Sequence, residues 1–383
     1  MKRFVILIAV LAAVSISHGQ VGTYTIESDV EGIEGKSFYL TIWNGTSEVI
    51  YKDGKLNDDS QIFYSDTTSV PLVIRIGLGN DRLYKDSGAG FYPVKSQSIW
   101  LVASPGDDIT LKGHISDFAE VYPEGGEENN SLVKLTKEFH PLINAAVNIS
   151  VTLDTMSNKL SQEEIQELSA KREKLNEQAD QVMQSYLMNN ASSIAGLYYL
   201  NDMLMRKSIT PKFAEQAIES VDDHYKATPY YDAVYQRVEG SKYDVGSSIF
   251  DLVSNKTPDG TEFNSKGWEG KFYLIDFWGS WCVPCLKDVP FLKNLKESHA
   301  SKLNVLGIAS DKEASWRQAI HEYDLNWTHI LNGTGEEDFV ARLNVDGFPT
   351  KILVAPNGEI VYRSSGGGEE SFKIMADIID GWK

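Results

Sequence analysis

Cys282 and Cys285 are the only two cysteines in a chain of 383 residues. They stand in Trp281-Cys282-Val283-Pro284-Cys285, just past the strand-like run from Phe272 to Trp278 and at the start of a helix-like run. Two thiols at C-x-x-C spacing on a strand-to-helix junction can close a small disulfide ring and reopen it, which is redox chemistry. A bridge across so short a loop removes little unfolded-state entropy, so a structural staple is a poor reading. A passive disulfide and half of a zinc site are the other uses of such a pair.

The elements that must position this pair lie in the last third of the chain. From about Asp244, strand-like runs (Phe272 to Phe277, Asn304 to Ala309, Thr350 to Ala355, Glu359 to Arg363) alternate with helix-like runs (Cys282 to His299, Glu313 to Tyr323, Glu336 to Leu343, Ser371 to Ile379). Pro356-Asn357-Gly358 reads as a hairpin turn between the last two strands. A βαβ crossover, a hairpin and a final helix predict a mixed central sheet with helices on both faces.

Upstream, Phe38–Trp43, Val70–Ile76 and Ser98–Ala103 are short aromatic and β-branched runs separated by Gly, Asn and Asp, which predicts a β-sandwich or open barrel. Asp58, Asp59, Asp107 and Asp108 read as turn residues rather than metal ligands. The middle of the chain is helical. Leu153, Met156 and Leu160 recur at helical spacing, as do Leu168, Leu175, Ala179, Val182 and Tyr186, a stripe expected to pack inside. Ser161-Gln162-Glu163-Glu164 is a capping box. Further helices are expected over Ser193–Met205 and Pro211–Tyr225, with a last helix and linker from Thr228 to Lys242.

Met1-Lys2-Arg3, an apolar run from Phe4 to Val14 and small residues up to Gly19 form a secretory leader pattern, with cleavage expected after Gly19. No cysteine near that point supports a lipid anchor. The expected organisation is a signal peptide at 1–19, a β-rich domain at 20–122, a helical region and linker at 123–242, and an α/β domain at 243–383. The formal charge of −18, more negative still once Lys2 and Arg3 leave, argues against nucleic acid and anionic lipid as partners.

The C-terminal region resembles the thioredoxin superfamily, in particular the secreted TlpA-like and ResA-like thiol-disulfide oxidoreductases. The residues that carry the likeness are Asp276-Phe277-Trp278-Gly279-Ser280-Trp281-Cys282-Val283-Pro284-Cys285, Pro290 on the following helix, and Gly347-Phe348-Pro349-Thr350 at the family's cis-proline loop. The β-rich and helical regions ahead of it resemble the layout of secreted proteins common in Bacteroidetes-type bacteria. The implied fold class is multidomain α/β: a C-terminal thioredoxin fold, an N-terminal β-sandwich-like domain and a helical middle region.

The resemblance implies a redox-active Cys282–Cys285 disulfide. Cys282, at a helix N-terminus where unpaired N–H groups stabilise a thiolate, is expected to be the exposed attacking nucleophile, and Cys285 the resolving thiol. Zinc would need more ligands, and neither a second C-x-x-C nor an H-x-x-x-H is present. Asp276 matches the buried acid of thioredoxins, with a raised pKa and a role in moving the proton of Cys285. Pro349 is expected to be cis, and Phe348 to offer its backbone to an extended substrate. The expected substrate-contacting set is Trp281, Val283, Pro284, Phe348 and Pro349, with Trp278 equally suited to the core. His299, His321 and His329 are expected away from the chemistry.

Val283 and Pro284 place no charge or imidazole between the thiols, which leans toward a reductant. Leu286 replaces a common Lys or Arg beside the second cysteine. Positions 275–282 lack the Pro-x-x-x-Thr-x-x-Cys pattern of a peroxidatic site. The expectation is a periplasmic reductase of disulfides in secreted proteins, needing no metal or cofactor. It would be recharged by an inner-membrane thiol carrier, and a homodimer stays open. The alternatives are an oxidase or isomerase on the same site, or a non-catalytic client-binding scaffold.

Overall fold

The computed structural model describes residues 21–33, 37–46, 49–57 and 61–382. The leader at 1–19 and Asp58 and Asp59 lie outside the described residues. Strands β1 (Gly22–Glu31), β2 (Ser37–Trp43), β3 (Val49–Lys55), β4 (Phe63–Thr68), β5 (Leu72–Leu78), β6 (Ser98–Ala103), β7 (Asp108–Ile115) and β8 (Ala119–Glu124) form two four-stranded sheets, ordered β4-β1-β7-β8 and β3-β2-β5-β6. The inner faces meet through Ile26 and Leu111 from one sheet and Leu40, Ile74 and Leu101 from the other. This is a β-sandwich. Asp107 and Asp108 serve its turns: Asp107 Oδ2 accepts the Ser104 N–H at 2.7 Å, and Asp108 Oδ1 accepts the Thr25 hydroxyl at 2.6 Å.

Strand β6, Ser-Ile-Trp-Leu-Val-Ala, is buried at every position. An unbroken apolar run of this length needs cover on both faces. Its second face, with Val73 of β5, joins Trp100 and Val102 to a core built from the helical region. The helices are therefore a layer laid on the sandwich. The Asn129 side chain pairs with both the N–H and the C=O of Val102 at 2.8 Å, so the exposed edge of β6 is closed by the first residue of a helix.

That helix, α1 (Asn129–Met156), packs beside α2 (Gln162–Asn189). The capping box forms at Ser161 and Glu164. The predicted stripe is only partly internal. Ala179, Met183, Tyr186 and Leu187 are buried, whereas Leu168 and Leu175 on the first half of α2 are half-buried and Met156 is exposed. Helices α3 (Ile194–Met205), α4 (Pro211–Ile218), α5 (Asp223–Lys226) and α6 (Pro229–Gly240) follow. The single helix expected over Pro211–Tyr225 is broken because Val221 is drawn into the core and the Asp222 N–H bonds to Ser192 Oγ at 3.0 Å. The segment expected to include a linker is packed: Tyr230, Val234 and Val238 of α6 lie in the helical core.

In the C-terminal region a short hairpin, β9 (Val253–Ser254) and β10 (Phe263–Asn264), precedes β11 (Phe272–Trp278), α7 (Val283–Ser298), β12 (Leu303–Ala309), α8 (Glu313–Glu322), β13 (Thr328–Leu331), α9 (Phe339–Arg342), β14 (Thr350–Val354), β15 (Ile360–Ser365) and α10 (Glu369–Gly381). The sheet order is β13-β12-β11-β14-β15, with β11, β12 and β13 parallel and β14 and β15 antiparallel. Helices α7, α8 and α10 cover one face, and α9 with the β9–β10 hairpin covers the other. Strand β13 had no counterpart in the sequence reading. The helix expected over Glu336–Leu343 is shortened because Asp338, in a non-helical conformation, caps a new start through the Ala341 N–H.

The helical layer and the C-terminal region share a contact at Gly240. A Cβ there would lie 2.6 Å from the Ala341 carbonyl and 2.7 Å from that of Arg342, so only glycine allows α6 this close to α9. Arg237 of α6 donates to the Val345 carbonyl at 3.4 Å, and Lys207 pairs with Asp346 at 2.9 Å. The segment leading to Phe348-Pro349 is thus held from the helical side. No helix among the described residues is long and apolar enough to cross a membrane.

The Tyr230 hydroxyl joins α6 to the sandwich. It accepts the Val73 N–H at 3.0 Å and donates to the Trp43 carbonyl at 2.5 Å. Tyr230→Phe leaves a buried N–H without its acceptor, and urea unfolding should read a loss of about 1–3 kcal/mol.

Candidate active site

Cys282 is the N-cap of α7, and its Sγ accepts the Cys285 N–H at 3.3 Å. The two sulfurs are joined in a disulfide with Cα atoms 5.3 Å apart. The helix start supplies backbone N–H groups and the positive end of the helix dipole, both of which favour a thiolate on reduction. Pro290 lies inside α7.

The nucleophile is not exposed in this oxidised state, contrary to the sequence expectation. Cys282 is 3% exposed and Cys285 5%. Both belong to an apolar cluster with Trp278, Ala309 and Trp316, and Phe348 packs on it. The exposed groups are Trp281 and Val283, at 59% and 60%, with Pro284 also open to solvent. Trp281 lies edge-on to Phe348 at 5.4 Å, and its Nε1 donates to the Ser310 carbonyl at 2.8 Å. The loop is also fixed by the Ser280 N–H, which donates to Asp311 Oδ2 at 2.6 Å. The Phe348–Pro349 peptide is cis. Pro349 itself is buried, so of these two residues it is Phe348 that meets the surface. Trp278 is core, beside a buried His329 whose pKa falls to about 3 through desolvation and which is therefore neutral. His299 is buried and His321 exposed.

Behind the thiols lies a charged cluster that the sequence reading captured only in part. Asp276 on β11 stands directly opposite Lys351 on β14, and their charged atoms are 3.5 Å apart. Lys351 is completely buried and makes its shorter contact, 2.6 Å, with Asp288 of α7. Asp288 also accepts the Gly368 N–H at 2.9 Å. A Cβ on Gly367 would sit 2.6 Å from the Asp288 carboxylate, so the approach of this loop requires glycine. One ammonium thus faces two buried carboxylates. Desolvation raises the Asp276 pKa, Lys351 opposes that rise, and Asp288 adds to it. Lys351 and Asp288 were not singled out from the sequence. The available signal was a lysine inside the otherwise apolar run after Pro349, where buried lysines are rare unless paired.

Residues 244–379 match the Redoxin family. The chain is similar to the thiol-disulfide oxidoreductase ResA of Bacillus thuringiensis, at 24% identity over 127 residues, covering 33% of this chain and 72% of the relative. It is also similar to the thioredoxin-like protein YneN of Bacillus subtilis, at 30% identity over 111 residues, covering 28% of this chain and 64% of the relative. A solved thioredoxin domain of a Bacteroides vulgatus thiol-disulfide oxidoreductase matches 36% of this chain and 98% of its own, at 25% identity and a TM-score of 0.32. The likeness is confined to the C-terminal region: residues 244–379 match the Redoxin model, and the relatives that this region resembles are thiol-disulfide oxidoreductases and thioredoxin-like proteins.

The buried cluster has a signed pH consequence. A carboxyl group whose folded pKa lies above its unfolded value costs stability once the pH exceeds the folded value, and costs nothing below the unfolded one. Asp276→Asn should therefore raise the melting temperature at pH 7, and the gain should vanish toward pH 3. Lys351→Met strands two buried carboxylates and should cost about 3–5 kcal/mol at pH 7. Thermal melts of the oxidised variants across pH 3–8 check both.

Proposed function

We propose that this chain is an extracytoplasmic, periplasmic reductase of disulfides in secreted proteins. The observation that carries the reading is the redox pair itself, capping α7 and bordered by an exposed Trp281 and by Phe348 of the cis-proline loop. In the reduced enzyme the Cys282 thiolate attacks one sulfur of a client disulfide. A Cys282–client S–S bond forms, the client S–S bond breaks, and the leaving client sulfur takes up a proton. The Cys285 thiol then loses its proton and its sulfur attacks Cys282. This releases the second client thiolate, which is protonated, and forms the Cys282–Cys285 bond. Two electrons pass from enzyme to client, and the protein is left in the oxidised state described above.

Asp276, with an elevated pKa and a position two residues before the end of β11, suits a carrier for the Cys285 proton. Reduction is favoured over oxidation by Val283-Pro284, which adds no charge or imidazole to over-stabilise the thiolate. The leader pattern at 1–19 supports the location. A membrane thiol carrier is the proposed source of electrons for the next cycle.

Insulin reduction by the dithiothreitol-reduced enzyme tests the reading: Cys282→Ser should abolish turnover, whereas Cys282-independent turnover or none at all would favour a binding scaffold. The couple should equilibrate near roughly −270 mV against glutathione or dithiothreitol, and a value near about −120 mV would mark an oxidant. Asp276→Asn should slow the second step near neutral pH and flatten its pH profile, read by stopped-flow Trp fluorescence.

A further inference from the structure

A cavity of about 840 Å³ lies where the sandwich, the helical layer and the thioredoxin region meet. One part of its wall is Phe348 and Ser310, the two residues that hold Trp281 beside the thiols. The opposite part belongs to the N-terminal regions. There Trp43 and Trp100 stack at 5.9 Å with planes 13° apart, and Tyr198 closes against both at 5.3 and 6.0 Å. Three aromatic rings lining one cavity offer apolar area with little entropy to lose.

The same wall carries cations. Lys95 lies 4.8 Å over Trp100 and pairs with Asp202 at 3.0 Å, and Asp202 also pairs with Arg206 at 2.9 Å. That carboxylate is shared between two cations. Arg75 has none: its Nη2 donates to Thr41 Oγ1 at 3.0 Å, its guanidinium lies 5.8 Å from the Tyr39 ring centre, and its buried Nε has no hydrogen-bond partner. Among the described residues no carboxylate pairs with Arg75. In a chain of formal charge −18, an uncompensated guanidinium in a cavity wall is a local reversal of sign. A guanidinium prefers a planar, bidentate carboxylate partner.

We infer that this cavity is the client channel of the reductase, taking an extended, disulfide-bearing peptide segment in which an aromatic side chain and a carboxylate flank the cysteine. The aromatic group enters the Trp43–Trp100–Tyr198 wall, the carboxylate meets Arg75, and the cysteine reaches Cys282 past Phe348. The inference rests on the proposed reductase function and adds the class of client to it. It also assigns a role to the N-terminal regions: they form most of the channel, so the redox domain alone would hold only its Phe348 side.

The test uses the reduced full-length chain and two short peptides, each bearing a mixed disulfide on its cysteine, with Phe and Asp flanking in one and Phe and Lys in the other. The small disulfide 5,5′-dithiobis(2-nitrobenzoate) is unsuitable as a reference because it is itself an aromatic acid; hydroxyethyl disulfide, small and neutral, serves instead. Wild type should show kcat/KM for the Asp peptide at least about tenfold above the Lys peptide. Arg75→Gln should reduce that ratio to near one while leaving hydroxyethyl disulfide turnover unchanged. Equal kcat/KM for the two peptides in wild type, a comparison that needs no variant, overturns the channel and leaves the reductase reading standing. Absence of Cys282-dependent turnover on every substrate overturns both. Arg75-dependent self-association in sedimentation, with no peptide preference, would give the cavity to a second copy of the chain and also overturn the proposal.

Discussion

A single ammonium group, Lys351 Nζ, sits with no solvent exposure between the carboxylates of Asp276 and Asp288, and the redox site is built around it. The three side chains come from β14, β11 and α7. Their contact ties the strand after the cis-proline loop to the strand before the thiols and to the helix whose first turn contains them. Remove the charge and both carboxylates lose the partner that makes their burial tolerable. The arrangement leaves one acid in excess, so the site holds a carboxyl group whose pKa is raised, on the strand that leads to the thiols. The loop at Gly367–Gly368 closes over Asp288, so the final helix is also registered against this point.

Much of the C-terminal fold could be read from the chain because each device is local. The C-x-x-C pair, Pro290 and the Gly-Phe-Pro-Thr run are contiguous, and the strands β11, β12 and β14 are apolar runs bounded by polar turns. What escaped depended on distance or on competition. Lys351 and Asp288 are 63 positions apart, and neither says alone that it will be buried. Strand β13 has four residues with a histidine among them, too few for a period to emerge. The break between α4 and α5 follows from burial of Val221 and a bond to Ser192, a tertiary contact that overrides helical spacing. The burial of Cys282 is set by Trp278, Ala309 and Phe348, which converge on it only in three dimensions.

The N-terminal half shows a similar limit. The runs that form β2, β5 and β6 and the helical spacing of the middle region were visible, but the other five strands of the sandwich and the mutual arrangement were not. The continuous burial of Ser98–Ala103 was a clue, because a strand without a wet face must be covered twice, by the second sheet and by the helices. The cavity could not be read at all, since its rings, cations and thiol-side rim belong to segments spread from Tyr39 to Phe348.

Helix α6 touches three things at once. Its Tyr230 hydroxyl satisfies backbone groups of the sandwich, Val234 and Val238 lie in the helical core, and Gly240 meets the backbone of α9. A domain boundary is ordinarily a place where sequence can drift, because few contacts cross it. Here the connection is itself a packed wall. An insertion between the upstream regions and the redox region would have to fall after Gly240, in the short stretch before Tyr243 joins the next core. The spacing between catalytic and upstream parts is consequently a fixed length rather than a tether, and evolution of either part is answerable to the other through twelve residues.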